Sequence, residues 1–221
     1  MIGDKRVYLL CGHYGSGKTN IAVNLALSLR RTKENLAVAD LDIVNPYFRT
    51  KDSASLLSEA GIELIVSEYA NTNVDIPALP QSLYRLTDDK TLSAVVDVGG
   101  DDRGALALGR IAPALREEDN YEMWAVINCF RPLTPDAAST VEVLREVEAA
   151  GRLPFTGIVN NSNLGAATAS EDVLSSLEYA KAVSEEMELP LVMTCVERRL
   201  YAELSGKIPD LFPLDLQKRP V

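Results

Sequence analysis

Runs of apolar residues of strand length alternate along this chain with segments of helical periodicity. The apolar runs cover residues 7–11, 36–39, 62–66, 94–98, 123–128, 155–160 and 191–194. The helical segments cover residues 18–30, 53–60, 137–150 and 170–187. Because continuous apolar strands separated by helices are typical of parallel sheets covered on both faces, the pattern predicts an α/β fold. We expect three layers, α-β-α, with a mostly parallel central sheet of about seven strands.

Glycines directly follow two of the predicted helices. Gly61 follows the segment 53–60, and Gly151 follows the segment 137–150. Because glycine adopts the left-handed conformation without a steric penalty, we expect both glycines to cap the ends of their helices.

Length and composition predict one domain. The chain has 221 residues, 47% of them hydrophobic, and no linker rich in Gly, Ser or Pro divides it, so we assign residues 1–221 to a single domain. The three cysteines lie far apart and form no C-x-x-C pair, which argues against a disulfide framework, a zinc site or a self-contained iron–sulfur site and leaves a cluster that bridges two subunits as the alternative. No long apolar run begins the chain, so we expect neither a signal peptide nor a membrane helix, and a cytoplasmic location.

The charge balance disfavours two classes of partner. The formal net charge is −10, and the Lys and Arg residues are dispersed along the sequence. Nonspecific binding to nucleic acid or to anionic lipid needs a basic patch, so we expect no nucleic acid partner and no membrane. The charged run at 116–119 is predicted to be an exposed helix end or loop.

A phosphate-binding loop follows the first predicted strand. Its residues match the pattern G-x-x-x-x-G-K-[ST] and read Gly12-His13-Tyr14-Gly15-Ser16-Gly17-Lys18-Thr19. Backbone N–H groups of such a loop point inward, and the positive end of the following helix is directed at the same place. Lys18 would reach the β- and γ-phosphates, and the Thr19 hydroxyl would bind Mg²⁺. We predict that the whole loop and the next residue, Asn20, bind nucleotide.

Carboxylates end the second and fourth predicted strands. Asp40 follows Val38-Ala39, and Asp97 begins the sequence D-x-x-G that ends at Gly100. An acid at this edge can hold a water of the Mg²⁺ shell or orient the water that attacks the γ-phosphate, and a glycine N–H can bond the γ-phosphate. The alternative is that these aspartates cap helices, which is common for this residue.

The base is predicted to be adenine. Guanine recognition in P-loop GTPases uses N-K-x-D, whereas this chain has Asn160-Asn161-Ser162-Asn163 with no Asp nearby. An Asn amide can both donate to and accept from the adenine edge, which suits Asn161. Consecutive Asn and Ser residues also favour turns, so turn formation is the alternative.

Taken together, the phosphate loop, Asp40-Leu41-Asp42 and Asp97-Val98-Gly99-Gly100 resemble the SIMIBI class of P-loop NTPases. This class includes chromosome-partitioning and division-site ATPases, the nitrogenase iron protein and metallocentre-insertion ATPases. The resemblance implies that Asp40 activates water, that Asp97 lies on the Mg²⁺ side and that Asn161 contacts the base. Residues 157–162 and 196–209 resemble the segments that flank the base in these proteins.

One departure from the family concerns an early lysine. The family's loop usually reads G-K-G-G-x-G-K-[ST], and that lysine crosses a dimer interface to the partner's nucleotide, whereas this chain has His13 and Tyr14 there. A nucleotide-dependent homodimer is what the resemblance implies, and this chain lacks the lysine that would cross its interface. Either His13 forms only a local hydrogen bond or it replaces the lysine, and Arg49 or Arg103 is the other candidate cation.

These residues support one leading function and two alternatives. The leading function is a Mg²⁺-dependent ATPase that acts as a switch on a protein client, with metallocentre or enzyme maturation favoured over DNA partitioning. The first alternative is an ATP-dependent kinase or amide-forming ligase, with the loop 71–80 as its substrate site. The second is a nucleotide-binding regulator without useful turnover. We expect the segments 45–49 and 128–132 to lie at the same edge of the sheet as the phosphate loop. The first is an expected switch, and the second has no assigned chemistry.

Overall fold

A computed structural model describes residues 2–41, 53–66, 81–100 and 102–216. Within these ranges the chain forms one parallel sheet of eight strands in the order β3-β2-β4-β1-β5-β6-β7-β8. The strands are Val7–Cys11 (β1), Leu36–Leu41 (β2), Glu63–Val66 (β3), Ser93–Val98 (β4), Tyr121–Ile127 (β5), Gly157–Asn160 (β6), Leu191–Glu197 (β7) and Leu211–Leu214 (β8). The predicted α/β class is confirmed, and the sheet has one strand more than expected.

Seven α-helices accompany the strands in the described ranges. They are Lys18–Leu29 (α1), Ala54–Glu59 (α2), Arg85–Asp88 (α3), Asp102–Glu118 (α4), Ala137–Gly151 (α5), Ser170–Met187 (α6) and Arg198–Leu204 (α7). Helices α1, α2, α5 and α6 match the predicted segments to within one residue at each end. None of the described helices combines the length and apolar character that crossing a bilayer requires.

One of the two predicted glycine caps is wrong. Gly61 has φ +70° and follows α2 as expected. Gly151 instead belongs to α5, and Arg152 adopts the left-handed conformation at φ 53°. The N–H of Arg152 still bonds to the carbonyl of Glu148, so the helix end is satisfied without a glycine.

Helix α4 was not predicted, because its sequence contains poor helix formers. Gly104, Gly109 and Pro113 all lie within it. Tertiary packing compensates, since Leu108, Ile111 and Leu115 are buried on one side of the helix. Gly104 also permits a close approach, because a Cβ there would lie 2.6 Å from Gly99 Cα.

Two apolar layers enclose the sheet, one on each face. Along β1, Val7 and Leu9 face the layer that contains α4, α5 and α6. Tyr8 and Leu10 face the other layer, which contains α1 and α2. This alternation follows from the two-residue period of a strand, and burial on both faces explains why β1 is apolar throughout.

The connections change direction around β1. The chain moves from β1 to β2 on one side of the sheet, returns to β4 beside β1, and then crosses to β5 on the other side. In open parallel sheets such a switch point opens a crevice at the carboxyl ends of the strands. The crevice here lies at the ends of β1 and β5, where the glycine-rich loop begins.

Candidate nucleotide-binding site

Three glycines shape the loop between β1 and α1. Gly12, Gly15 and Gly17 have φ values of 143°, 78° and 94°, which other residues rarely adopt. Gly17 is the residue before α1, so the loop leads directly into the N-terminus of that helix. The backbone therefore forms the cradle that the sequence predicts for an anion.

Two of these glycines are also required by close neighbours. A Cβ at Gly12 would lie 2.3 Å from the carbonyl oxygen of Val126 on β5. A Cβ at Gly17 would lie 2.2 Å from the amide nitrogen of Asn161. Such distances are shorter than any ordinary contact, so β5 and the end of β6 hold the loop in place from one side.

Lys18 and Ser16 fit a phosphate chain. Lys18 is 7% exposed, and its Nζ donates hydrogen bonds to the carbonyls of Gly12 at 2.9 Å and His13 at 3.2 Å. The Ser16 hydroxyl is buried and has no hydrogen-bond partner within the described residues. Because buried polar groups are nearly always paired, this hydroxyl is suited to donate a hydrogen bond to a phosphate oxygen.

The predicted metal-binding side chains meet next to the loop. The Thr19 hydroxyl donates a 2.6 Å hydrogen bond to Asp97 Oδ2, which joins α1 to the end of β4. Asp40 lies opposite Asp97 in the β2–β4 pairing, and both side chains are buried. Oxygen ligands suit Mg²⁺, which usually takes one or two from the protein and the rest from phosphates and water. These residues fit Mg²⁺, although no three acidic, His or Cys side chains cluster anywhere in the described ranges.

Gly100 connects the D-x-x-G segment to the phosphate loop. A Cβ at Gly100 would lie 2.6 Å from the backbone nitrogen of Tyr14 and 2.9 Å from its Cα. The two loops are thus in backbone contact.

A cavity of about 700 Å³ opens beside the loop. This volume is within the range that small-molecule sites occupy. Its walls come from the phosphate loop and α1, from the ends of β5, β6 and β7, and from β8. The lining residues include Tyr14, Gly15, Asn20, Arg131, Asn161, Ser162, Asn163, Thr168, Val196, Glu197, Leu214 and Leu216.

Hydrogen bonds of asparagine side chains connect the strand ends along one wall of this cavity. Asn161 Nδ2 donates to the Ser16 carbonyl at 2.6 Å, which fastens the end of β6 to the phosphate loop. Asn163 Nδ2 donates to the Asn161 carbonyl, and Asn163 Oδ1 accepts from the N–H of Gly165. Asn128 Oδ1 accepts from the N–H groups of Phe130 and Asn163, which connects the ends of β5 and β6.

The C-terminal segment forms the opposite wall, which sequence reasoning missed. Asn24 on α1 accepts from the N–H of Asp215 at 2.8 Å and donates to its carbonyl at 2.9 Å. Arg198 donates two hydrogen bonds of 2.7 Å to the Asp215 carboxylate, and this pairing lowers the pKa of that carboxyl. Apart from the apolar residues of β8, no sequence signal linked Asn24 to a residue 191 positions away.

Some of the remaining candidate residues lie within the described ranges, and the others lie outside them. His13 Nδ1 is 2.9 Å from the Tyr14 carbonyl oxygen, which agrees with a local role for this ring. Burial raises the pKa of the Cys11 and Cys195 thiols, so both behave as apolar groups. Arg49 and the predicted loops 45–49 and 71–80 lie outside the described residues, as does the Arg103 side chain.

Comparison with solved structures supports the fold, whereas two sequence comparisons found no match. No protein-family model matches the chain, and no curated protein is significantly similar in sequence. The fold is similar to that of signal recognition particle 54 kDa protein from Aeropyrum pernix K1 in complex with GDP, with 20% identity and a TM-score of 0.53. Cell division protein FtsY from Thermotoga maritima has 16% sequence identity and a TM-score of 0.57. The signal recognition particle receptor FtsY from Elizabethkingia anophelis in complex with GDP has 13% identity and a TM-score of 0.54.

These matches cover 86%, 87% and 87% of this chain. The chain in turn spans 41%, 62% and 57% of the three matched chains, respectively. At these identities the likeness shows the architecture. The narrower resemblance to partitioning and metallocentre-insertion ATPases stays a prediction.

Proposed function

We propose that this protein binds and hydrolyses ATP in a Mg²⁺-dependent manner and acts as a nucleotide switch on a protein client. The observation that carries this proposal is that the phosphate loop, the N-terminus of α1 and the end of β4 meet at the end of β1. The glycine loop encloses Lys18, and the Thr19 hydroxyl contacts Asp97 at 2.6 Å. The nucleotide complexes named for two fold neighbours support a nucleotide ligand in general.

Each residue has a separate task in this function. Lys18 would place its charge on the β- and γ-phosphates, and Ser16 would donate its hydroxyl to a phosphate oxygen. Thr19 and Asp97 would hold Mg²⁺, which when bound neutralises the charge that develops on the phosphates. Asp40, in register with Asp97, would orient the attacking water and accept its proton.

Adenine is the base that we propose. Asn161 Nδ2 already donates to the phosphate loop, so its Oδ1 is the atom suited to accept from the exocyclic amine of adenine. Three residues after Asn160 or Asn161, where N-K-x-D has its Asp, this chain has Asn163 or Leu164. Glu197 is the carboxylate that lines the described cavity, and it already accepts from Arg199 at 2.7 Å.

The backbone contact between Gly100 and Tyr14 supports a switch. Loss of the γ-phosphate would release the D-x-x-G segment, and its movement would shift the adjoining phosphate loop at Tyr14. A protein client, a nucleotide-dependent homodimer and a role in metallocentre or enzyme maturation are the outputs that the family resemblance favours. Slow phosphate release by the purified protein alone supports the switch, whereas complete dependence on a small acceptor would favour a kinase or ligase.

Calorimetric titration with Mg·ATP and Mg·GTP tests the proposal. We expect Lys18→Ala and Thr19→Ala each to weaken Mg·ATP binding at least tenfold, since each removes a contact to phosphate or metal. Thr19→Ala should have a smaller effect when Mg²⁺ is replaced by EDTA, because its hydroxyl acts through the metal. Unchanged Mg·ATP affinity in both variants would refute the site, and tighter binding of Mg·GTP would refute the choice of base.

A further inference from the structure

The side chain of Arg131, on the loop after β5, lies against the phosphate loop. Its Nε, Cζ and Cδ atoms lie 3.4, 3.5 and 3.7 Å from the place that a Cβ on Gly15 would occupy. The guanidinium group therefore packs directly over the middle of the phosphate loop.

No ion pair neutralises the charge of this arginine within the part of the chain that the structure describes. Its Nε is buried without a hydrogen-bond partner, and no carboxylate forms an ion pair with it among the described residues. A buried guanidinium nitrogen without a partner is unfavourable, because each such donor loses its hydrogen bond to water. Arg131 also lines the 700 Å³ cavity, so a ligand there can reach it.

The backbone around Arg131 is held firmly. The N–H of Arg131 donates to the Asn128 carbonyl at 3.2 Å, and the Arg131 carbonyl accepts from Thr134 at 3.1 Å. The Thr134 hydroxyl and the N–H of Cys129 form further hydrogen bonds, to the Asn128 carbonyl and to Ser162 Oγ respectively. A side chain on such a fixed turn is preorganised to contact a ligand.

We infer that Arg131 binds the phosphate chain of the nucleotide directly, from the loop that follows β5. The inference rests on the proposed nucleotide function and adds a residue to it. The guanidinium fork matches phosphate oxygens, and a phosphate would satisfy Nε and neutralise the charge together. This assigns a cation from the same chain to a loop that has His13 and Tyr14 in place of an early lysine.

Binding measurements on three variants test this role. Arg131→Ala should weaken Mg·ATP binding about tenfold or more, as expected for the loss of a charged hydrogen bond, and leave adenosine binding, followed by NMR titration, unchanged. Arg131→Lys should recover part of the affinity, because the point charge remains. The exposed Arg145 on α5 provides the matched control, since Arg145→Ala removes the same charge away from the loop.

Salt dependence separates a phosphate contact from a structural role. ATP affinity of the wild-type protein should fall more steeply with NaCl concentration than that of Arg131→Ala, since one screened interaction is missing in the variant. Equal ATP affinity in wild type and Arg131→Ala, or an equal loss for adenosine, would overturn the inference. If Lys18→Ala weakens ATP binding while Arg131→Ala leaves it unchanged, the nucleotide function stands and only this role fails.

Discussion

At the scale of single residues, the site depends on positions where a side chain is missing. Gly12, Gly17 and Gly100 each lie so close to a neighbour that a Cβ would approach it within 2.6 Å. The loop motif predicts that glycines are needed for the backbone conformation. It does not reveal that Asn161 presses against Gly17, because that contact depends on how β6 ends beside β1.

We predict that Gly17→Ala disables the site while leaving the domain folded. The φ of +94° would be strained by about 1–2 kcal/mol, and the new methyl would displace the Asn161 amide that now lies 2.2 Å from its position. ATP affinity should fall at least tenfold by calorimetry, with a modest drop in melting temperature. Gly206→Ala is the control, because a Cβ there meets nothing within 4 Å, and it should change neither quantity.

At the scale of elements, the sequence predicts those parts whose pattern is local. Helix α1 and strand β1 follow from apolar periodicity and the loop motif between them. Helix α4 was missed, since Gly104, Gly109 and Pro113 obscure its pattern and the core stabilises it. Strand β8 was missed because it has four residues including Pro213, which an edge strand tolerates. Both failures concern elements that tertiary contacts specify, and β8 forms a wall of the site.

We predict that Asn24 positions the wall of the cavity formed by β8 and the residues after it. Removing its two hydrogen bonds to Asp215 frees the segment after β8 from α1, so we expect Asn24→Ala to weaken ATP binding about three- to tenfold. Backbone amides at Leu214 and Leu216 should exchange hydrogen faster in the variant. Asn35→Ala, which removes an exposed hydrogen bond to Thr91, is the matched control. Unchanged exchange at the segment would contradict the assignment.

At the scale of the whole molecule, the end of the sheet opposite the site is held by one charged cluster. Arg6, which precedes β1, is 5% exposed and pairs with Glu118 at the end of α4. Its guanidinium also donates to the carbonyls of Leu92 at 2.7 Å and Leu86 at 2.9 Å. The run 116–119 is therefore more than an exposed helix end. It anchors the amino end of β1, whose other end enters the phosphate loop.

This cluster should make stability depend on pH. The Arg6 guanidinium and, to a smaller extent, the Lys90 ammonium lower the pKa of Glu118 from 4.5 to about 2, which corresponds to roughly 3 kcal/mol. Because the folded-state pKa is the lower one, this contribution is complete above about pH 4.5 and is lost as pH falls towards 2. Glu118→Gln should therefore cost about 1–3 kcal/mol at pH 7 in urea unfolding.

The difference in unfolding free energy between wild type and Glu118→Gln should shrink as pH is lowered from 4.5 towards 2.5, since the Glu118 carboxyl of the unfolded wild-type chain binds a proton over this range while the folded one, with a pKa of about 2, stays mostly charged. A difference that stays constant over that range would show that the ion pair is not its source. Glu117→Gln on the exposed side of the same turn should match wild type throughout. Because the cluster lies at the far end of β1, ATP affinity at pH 7 should be the same in all three proteins, which separates the stability of the sheet from the chemistry at its other edge.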